Sequence, residues 1–246
     1  MKIIISPAKK MRVDNDSFLS KTLPEFLSET ELILTALREK TFAQLQKLWK
    51  CNDEITKLNT ERLAHMNLHQ NLTPALFAYD GIQYQYMAPD VFDYSQLDYI
   101  EEHLRILSGF YGILRPFDGV TPYRLEMAAK LEVEGKKDLY KFWGEKLANM
   151  LSGEDFIVNL ASKEYSSAVT KYLKESVPVI DIVFGEKKDG KIIEKGTMCK
   201  MARGQMVRFM AEHQVKTVEE LKGFDSLDYR YSEEDSEKKR IVFLKQ

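Results

Sequence analysis

Three short apolar runs, at 2–6, 156–160 and 178–184, constrain this chain most. A strand with one wet face alternates apolar and polar side chains, whereas a strand covered on both faces reads as a continuous apolar run. None of the three alternates cleanly, and Ile3, Ile4 and Ile5 do not alternate at all. Strands of this kind belong in a sheet with helices on both sides. The expected fold class is therefore α/β (mixed α+β): a single globular domain over 1–246, with a central mixed sheet flanked by helices and a mostly helical N-terminal portion. A length of 246 residues is compatible with one large domain or two small ones.

The intervening stretches supply the helices. From 22 to about 66, Phe26, Leu27, Leu32, Ile33, Leu34 and Leu37 recur at helical spacing, with Thr41 and Asn52 as caps of two further helices. Thr73-Pro74 opens another helix, because proline suits the first turn, and it ends near the turn signal Asp80-Gly81. Ile82, Tyr84 and Tyr86 alternate with Gln83 and Gln85, as a strand or an extended aromatic segment. Ser95 is read as the cap of a helix to about His103, Asp138 as the cap of one carrying Trp143 in the core, and Thr197 as the cap of a helix over 198–213. A short helix at 217–222 and edge strands at 227–231 and 241–244 complete the chain. The acidic stretch 231–239 is the segment most expected to be disordered.

The segment 107–127 is turn-rich. Gly109, Gly112 and Gly119 permit bends, while Pro116 and Pro122 fix φ and push Arg115 and Thr121 towards extended shapes. Arg115 and Arg124 accompany Tyr111, Phe117 and Tyr123, and planar cations beside rings suit phosphates and stacked bases. The same rings serve equally well as core.

Cations recur where strands hand over to loops and helices. Lys9 and Lys10 follow the first strand, where ligands sit in open parallel sheets. Lys163 opens a helix directly after the second apolar run, at a positive dipole end with free backbone N–H groups. Lys200 and Arg203 share a helical face. Residues 187–208 contain seven basic and two acidic side chains, giving a local positive excess in a chain of net charge −2. Binding to nucleic acid must then come from local convergence and not from global steering. The expectation is one basic cleft built from Lys9, Lys10, Arg115, Arg124, Lys163, Lys200 and Arg203, fitting a phosphodiester backbone with little base specificity and strong salt dependence.

Asp80 and Asp181 are the candidates for acid–base work; Asp80 also suits turn formation, and an acid within an apolar strand needs a partner or a role. Tyr84, Asp118 and Glu126 are further acids or bases on hand. No Ser-His-Asp order, P-loop or GxGxxG names a reaction, so whether the chain is an enzyme stays open. The competing reading is an enzyme acting on a nucleotide, nucleobase or nucleic acid in the same cleft. His65 and His69 have the spacing of a helical metal pair but lack the glutamate of an HExxH motif, and no metal site or cofactor is assigned. Gly204, inside a helix, points to close approach of another backbone or a ligand. Cys51 and Cys199 form no CxxC pattern and suit a reducing cytoplasm, and no stretch approaches the roughly 20 apolar residues of a membrane span.

Five blocks in order resemble the YaaA-like family of bacterial peroxide-stress proteins: ISPAKKM at 5–11, YDGIQY at 79–84, the 107–127 segment, VNLASKEYSSAV at 158–169, and VFGEKKDGK with MARGQMVRF at 183–191 and 201–209. The resemblance implies a cytoplasmic one-domain α/β protein of unusual topology, a positively charged cleft, affinity for duplex DNA, and a role in limiting iron-driven oxidative damage. Its protein partners are unknown. GFYG at 109–112 does not have the GxG spacing of a helix-hairpin-helix element.

Overall fold

A computed structural model describes residues 1–14 and 16–246. The strands are β1 (Lys2–Ile5), β2 (Lys10–Met11), β3 (Thr73–Pro74), β4 (Tyr79–Asp80), β5 (Leu104–Ser108), β6 (Gly112–Leu114), β7 (Gly119–Val120), β8 (Ile157–Leu160), β9 (Val179–Lys188), β10 (Lys191–Ile193), β11 (Tyr229–Tyr231) and β12 (Arg240–Lys245). The helices are α1 (Leu27–Arg38), α2 (Phe42–Trp49), α3 (Asp53–His65), α4 (Ala75–Ala78), α5 (Ile82–Met87), α6 (Tyr94–His103), α7 (Leu139–Trp143), α8 (Lys146–Asn149), α9 (Lys163–Thr170), α10 (Gly196–Glu212) and α11 (Val218–Leu221).

The main sheet runs β11-β12-β9-β8-β1-β5-β6, with β10 paired to β9. β12, β9, β8, β1 and β5 are parallel, and β11 and β6 close the two edges antiparallel. The expected mixed sheet is thus present, and Ile3, Ile4 and Ile5 lie at its centre with no exposed surface. Both α6 and α9 pack on β1 and β5. Burying each isoleucine contributes about 1.5–3 kcal/mol, which is why a four-residue strand is enough at this position.

Local capping was legible. Thr41 forms a capping box, and Asn52 and Asp138 cap α3 and α7 with their side chains; Thr217 forms a further box that was not anticipated. Trp143 is fully buried and donates from Nε1 to the Gly109 carbonyl at 3.1 Å, so it is core as expected. The β9–β10 hairpin closes on Asp189-Gly190, both with positive φ (49° and 73°), as a tight two-residue turn requires.

Several expectations are corrected. Residues 82–87 are helical, because Gln83, Tyr84 and Met87 form one buried helical face and the helix packs on α10. Thr73-Pro74 forms β3, and the helix begins only at Ala75. Asp93, not Ser95, caps α6; its carboxylate accepts from the Gln96 amide at 2.9 Å and from Ser95 Oγ at 2.9 Å. α10 starts at Gly196 with no side-chain cap. β12 is interior, held between β9 and β11. Residues 231–239 are tied back by bonds from the Ser232 amide to the Val242 carbonyl (2.9 Å) and from the Glu237 amide to the Arg240 carbonyl (2.7 Å).

Candidate functional site

The sheet changes direction of growth at β1. The chain lays β5 on one side of it, then returns to add β8, β9 and β12 on the other. Ligands of open α/β sheets bind beyond the carboxyl ends of strands at such a reversal. Here the two carboxyl ends are joined directly: Ser6 Oγ accepts from the Ser162 amide at 2.8 Å and donates to Ser162 Oγ at 3.3 Å. Ser162 is extended and its side chain does not cap α9; its hydroxyl is engaged with Ser6 instead. Tyr84 Oη donates to the Ser6 carbonyl at 3.0 Å and fixes the loop from the other side. Lys163 follows at once, exposed and, among the described residues, without an ion pair.

On one side of this first turn of α9 lies a slot lined by Pro7, Lys9, Arg124, Glu126 and Tyr165. Glu126 is its hub: Oε1 lies 2.8 Å from Lys9 Nζ and 3.3 Å from Arg124 Nη2. The Arg124 side chain is only 13% exposed, and its Nε has no hydrogen-bond partner among the described residues. The segment is held there by Gly109, since a Cβ at that position would meet the 125–127 backbone at 2.9–3.0 Å. Next to it, β2 and β4 pair Lys10 with Asp80, and Lys10 Nζ lies 2.5 Å from Asp80 Oδ2. The Lys10 ammonium holds the Asp80 carboxyl below its ordinary range against the opposing effect of burial, with a lesser contribution from Gln85.

On the other side of α9 a cavity of about 420 Å³ opens over β8 and β9. Lys163, Ser166, Ser167 and Thr170 line it from one helical face, and Asn159, Asp181, Arg203 and Arg240 complete its polar wall. Asp181 is exposed here, not buried in the sheet, and accepts from Asn159 Nδ2 at 2.7 Å. The Asn159 orientation is set by the Ala161 amide, which donates to its Oδ1 at 3.0 Å. Arg203 is 16% exposed; Nη2 is 3.8 Å from Glu194, and Nε is buried with no partner among the described residues. A larger cavity of about 700 Å³ lies at the opposite, amino ends of β8, β9 and β12, lined by Asp155, Pro178 and Lys239 among others.

The cations anticipated from the sequence thus divide. Lys9, Lys10, Arg124, Lys163 and Arg203 gather at the carboxyl edge, around α9 and the β2–β4 pair. Lys200 is exposed one turn ahead of Arg203, on the helix that docks through Cys199 Sγ to the Phe184 carbonyl (3.3 Å) near the carboxyl end of β9. Arg115 does not join them. β6 runs antiparallel to β5 with Leu114 opposite Ile106, so Arg115 lies level with Arg105 at the amino end, 3.7 Å from Glu25. Tyr111, Phe117 and Tyr123 are buried at 1%, 5% and 6% exposure and offer no stacking platform. Tyr123 bonds to Ser108 (2.6 Å) and Tyr79 (2.8 Å) beneath the edge, and burial pushes its hydroxyl up to about 12.

Asp118 is structural: Oδ2 accepts from the Arg115 amide at 2.7 Å and Oδ1 from Thr22 Oγ1 at 2.6 Å, and burial raises its carboxyl above the ordinary range. Sequence reasoning did not anticipate Asn159, Ser166, Ser167, Thr170 or Arg240. A signal was present in the polar spacing i, i+3, i+4, i+7 from Lys163. Among the described residues no group of three His, Cys, Asp or Glu side chains is arranged to hold a metal, and no helix is long and apolar enough to cross a membrane.

A family model described as "Peroxide stress protein YaaA" matches residues 1–235. A UPF0246 protein of Lachnoclostridium phytofermentans is 54% identical over 246 residues, covering 100% of this chain and 96% of that protein. A UPF0246 protein of Pediococcus pentosaceus is likewise 54% identical, with 100% and 98% coverage, and one of Desulfitobacterium hafniense is 51% identical over 100% and 98%.

Proposed function

The chain belongs to the peroxide stress protein YaaA family, and from that membership we propose that it serves the peroxide-stress response in the cytoplasm by holding the phosphate backbone of duplex DNA along the carboxyl edge of its sheet. DNA covered in this way is shielded from iron-driven oxidation. The observation that supports the proposal is that Lys9 and Arg124 line one side of the first turn of α9, with Lys10 beside them on β2, and Lys163 and Arg203 line the other, in a net-acidic molecule; we assign Lys200, exposed one turn ahead of Arg203, to the same edge. Lys163 and Lys200 have no carboxylate partner among the described residues and are ready for phosphate. Lys9, Lys10 and Arg124 are each held by Glu126 or Asp80. Phosphate must compete with those carboxylates, so binding is moderate in strength and steep in salt. The buried rings leave no stacking surface, which fits contacts to backbone and not to bases.

The test is fluorescence anisotropy of a labelled duplex over a salt series, with Lys163→Ala, Lys200→Ala and Arg115→Ala. Loss of affinity in the first two, with Arg115→Ala unchanged, supports the edge. Equal loss in all three, or no salt dependence, overturns it.

A further inference from the structure

The recess between α9 and β9 has features that a duplex-binding edge does not need. It is a half-open recess of about 420 Å³, within the range of small-molecule sites and too small for a double helix. One wall is cationic, with Lys163 and Arg203. The Arg203 Nε is buried without a hydrogen-bond partner among the described residues, and a buried unpaired donor is destabilising. Its ion pair to Glu194, at 3.8 Å, engages Nη2 and leaves Nε unsatisfied. The Arg203 side chain lines the recess with 16% of its surface exposed, so its guanidinium can donate to an acceptor arriving there.

The lining also offers acceptors, beside Arg240, the register neighbour of Asp181. Asp181 gives one carboxylate oxygen to Asn159, leaving the other with no hydrogen bond among the described residues. Asn159 is itself oriented by the Ala161 amide. A preset carboxylate on a strand accepts hydrogen bonds from hydroxyls, and the Ser166 hydroxyl on α9 adds a further polar contact. An anion holder and a hydroxyl acceptor lining one small recess select a molecule that carries both groups.

From this we infer that the recess binds a phosphomonoester of a polyhydroxylated sugar, with the phosphate on Arg203 and Lys163 and the sugar hydroxyls on Asp181. Free sugar phosphates and nucleoside monophosphates share this chemistry. The recess and the duplex edge overlap at Lys163 and Arg203, but Asp181 belongs to the recess alone and Arg124 to the slot on the far side of α9's first turn.

Isothermal titration of the full chain with ribose 5-phosphate, adenosine 5′-monophosphate, ribose and inorganic phosphate tests this. Saturable binding of at least one phosphomonoester is expected, at least tenfold tighter than ribose or phosphate alone. Asp181→Asn, an isosteric change on an exposed residue, and Arg203→Lys should each weaken it at least tenfold, while Arg124→Ala leaves it unchanged. Preference for adenosine 5′-monophosphate over ribose 5-phosphate assigns the site to nucleotides; equal affinity assigns it to sugar phosphates. Absence of saturable binding, or binding indifferent to both Asp181→Asn and Arg203→Lys, overturns the inference. Duplex affinity measured on the same proteins separates the two readings, since Asp181→Asn should not weaken it.

Discussion

Gly204 of α10 lies against the backbone of α5 so closely that a methyl group there would overlap the Gln83 carbonyl oxygen and stand 2.9 Å from the Met87 amide nitrogen. Gln205 Nε2 reinforces the contact by donating to the Tyr86 carbonyl at 3.1 Å. Arg203 is the preceding residue, so this contact also fixes the cation that enters the recess.

Gly204→Ala is therefore expected to destabilise the protein. In an exposed helix the change would gain about 1 kcal/mol. Here overpacking against backbone, typically about 1–3 kcal/mol, outweighs that gain. Urea unfolding of the two proteins checks the sign; a raised midpoint would show that the helices part without cost.

Duplex binding should respond to position and not merely to charge. Each lysine contact to phosphate that is lost should lower the slope of log affinity against log salt by about one unit. Lys163→Ala is expected to do so. Arg115→Ala should leave the slope as it is, since Arg115 lies at the amino end of the strands beside Glu25.

Asp80 gives an acid-side prediction. The Lys10 ammonium beside it lowers its folded-state affinity for protons below the ordinary value of 3.8. The stability it contributes is then present above 3.8 and lost as pH falls through the lower folded value. Asp80→Asn should be the less stable protein at pH 7 and show a shallower decline in melting temperature below pH 4. Parallel curves would mean that the pair contributes nothing.

The two thiols should differ under peroxide. Burial pushes the Cys199 thiol above its ordinary value, and its Sγ donates to the Phe184 carbonyl at 3.3 Å in a site 3% exposed. Thiolate is the reactive form, so Cys199 should resist both hydrogen peroxide and iodoacetamide in the native state, while the half-buried Cys51 is modified first. Mass spectrometry of the intact protein after brief exposure reads this directly. Native oxidation of Cys199 would show that the α10–β9 contact opens.

What could be read beforehand follows the range of the forces. Ile3, Ile4 and Ile5 announced a doubly covered strand because burial on both faces leaves no polar position. Thr41, Asn52 and Asp138 announced their caps because a cap is satisfied within three residues. α5 was misread because its alternating glutamines and tyrosines are sorted by α10, more than a hundred residues away, and not by the segment itself. Arg115 was misplaced for a similar reason: only the register of β6 on β5 decides which end of the sheet it reaches. The carboxylates that hold Lys9, Lys10 and Arg124 were visible as residues but not as partners, since Glu126 and Asp80 meet those cations only through tertiary pairing.

The bond from the Ser162 amide to Ser6 Oγ spans 156 positions of the chain. Such a link cannot form while a nascent polypeptide has delivered only its first half. Lys9 and Lys10 are synthesised early, yet their setting is incomplete until α9 arrives, and Arg203 comes later still. Contacts this distant are made slowly, so during synthesis these cations wait without an assembled surface. A half-made copy is then a poor competitor for whatever the finished molecule holds.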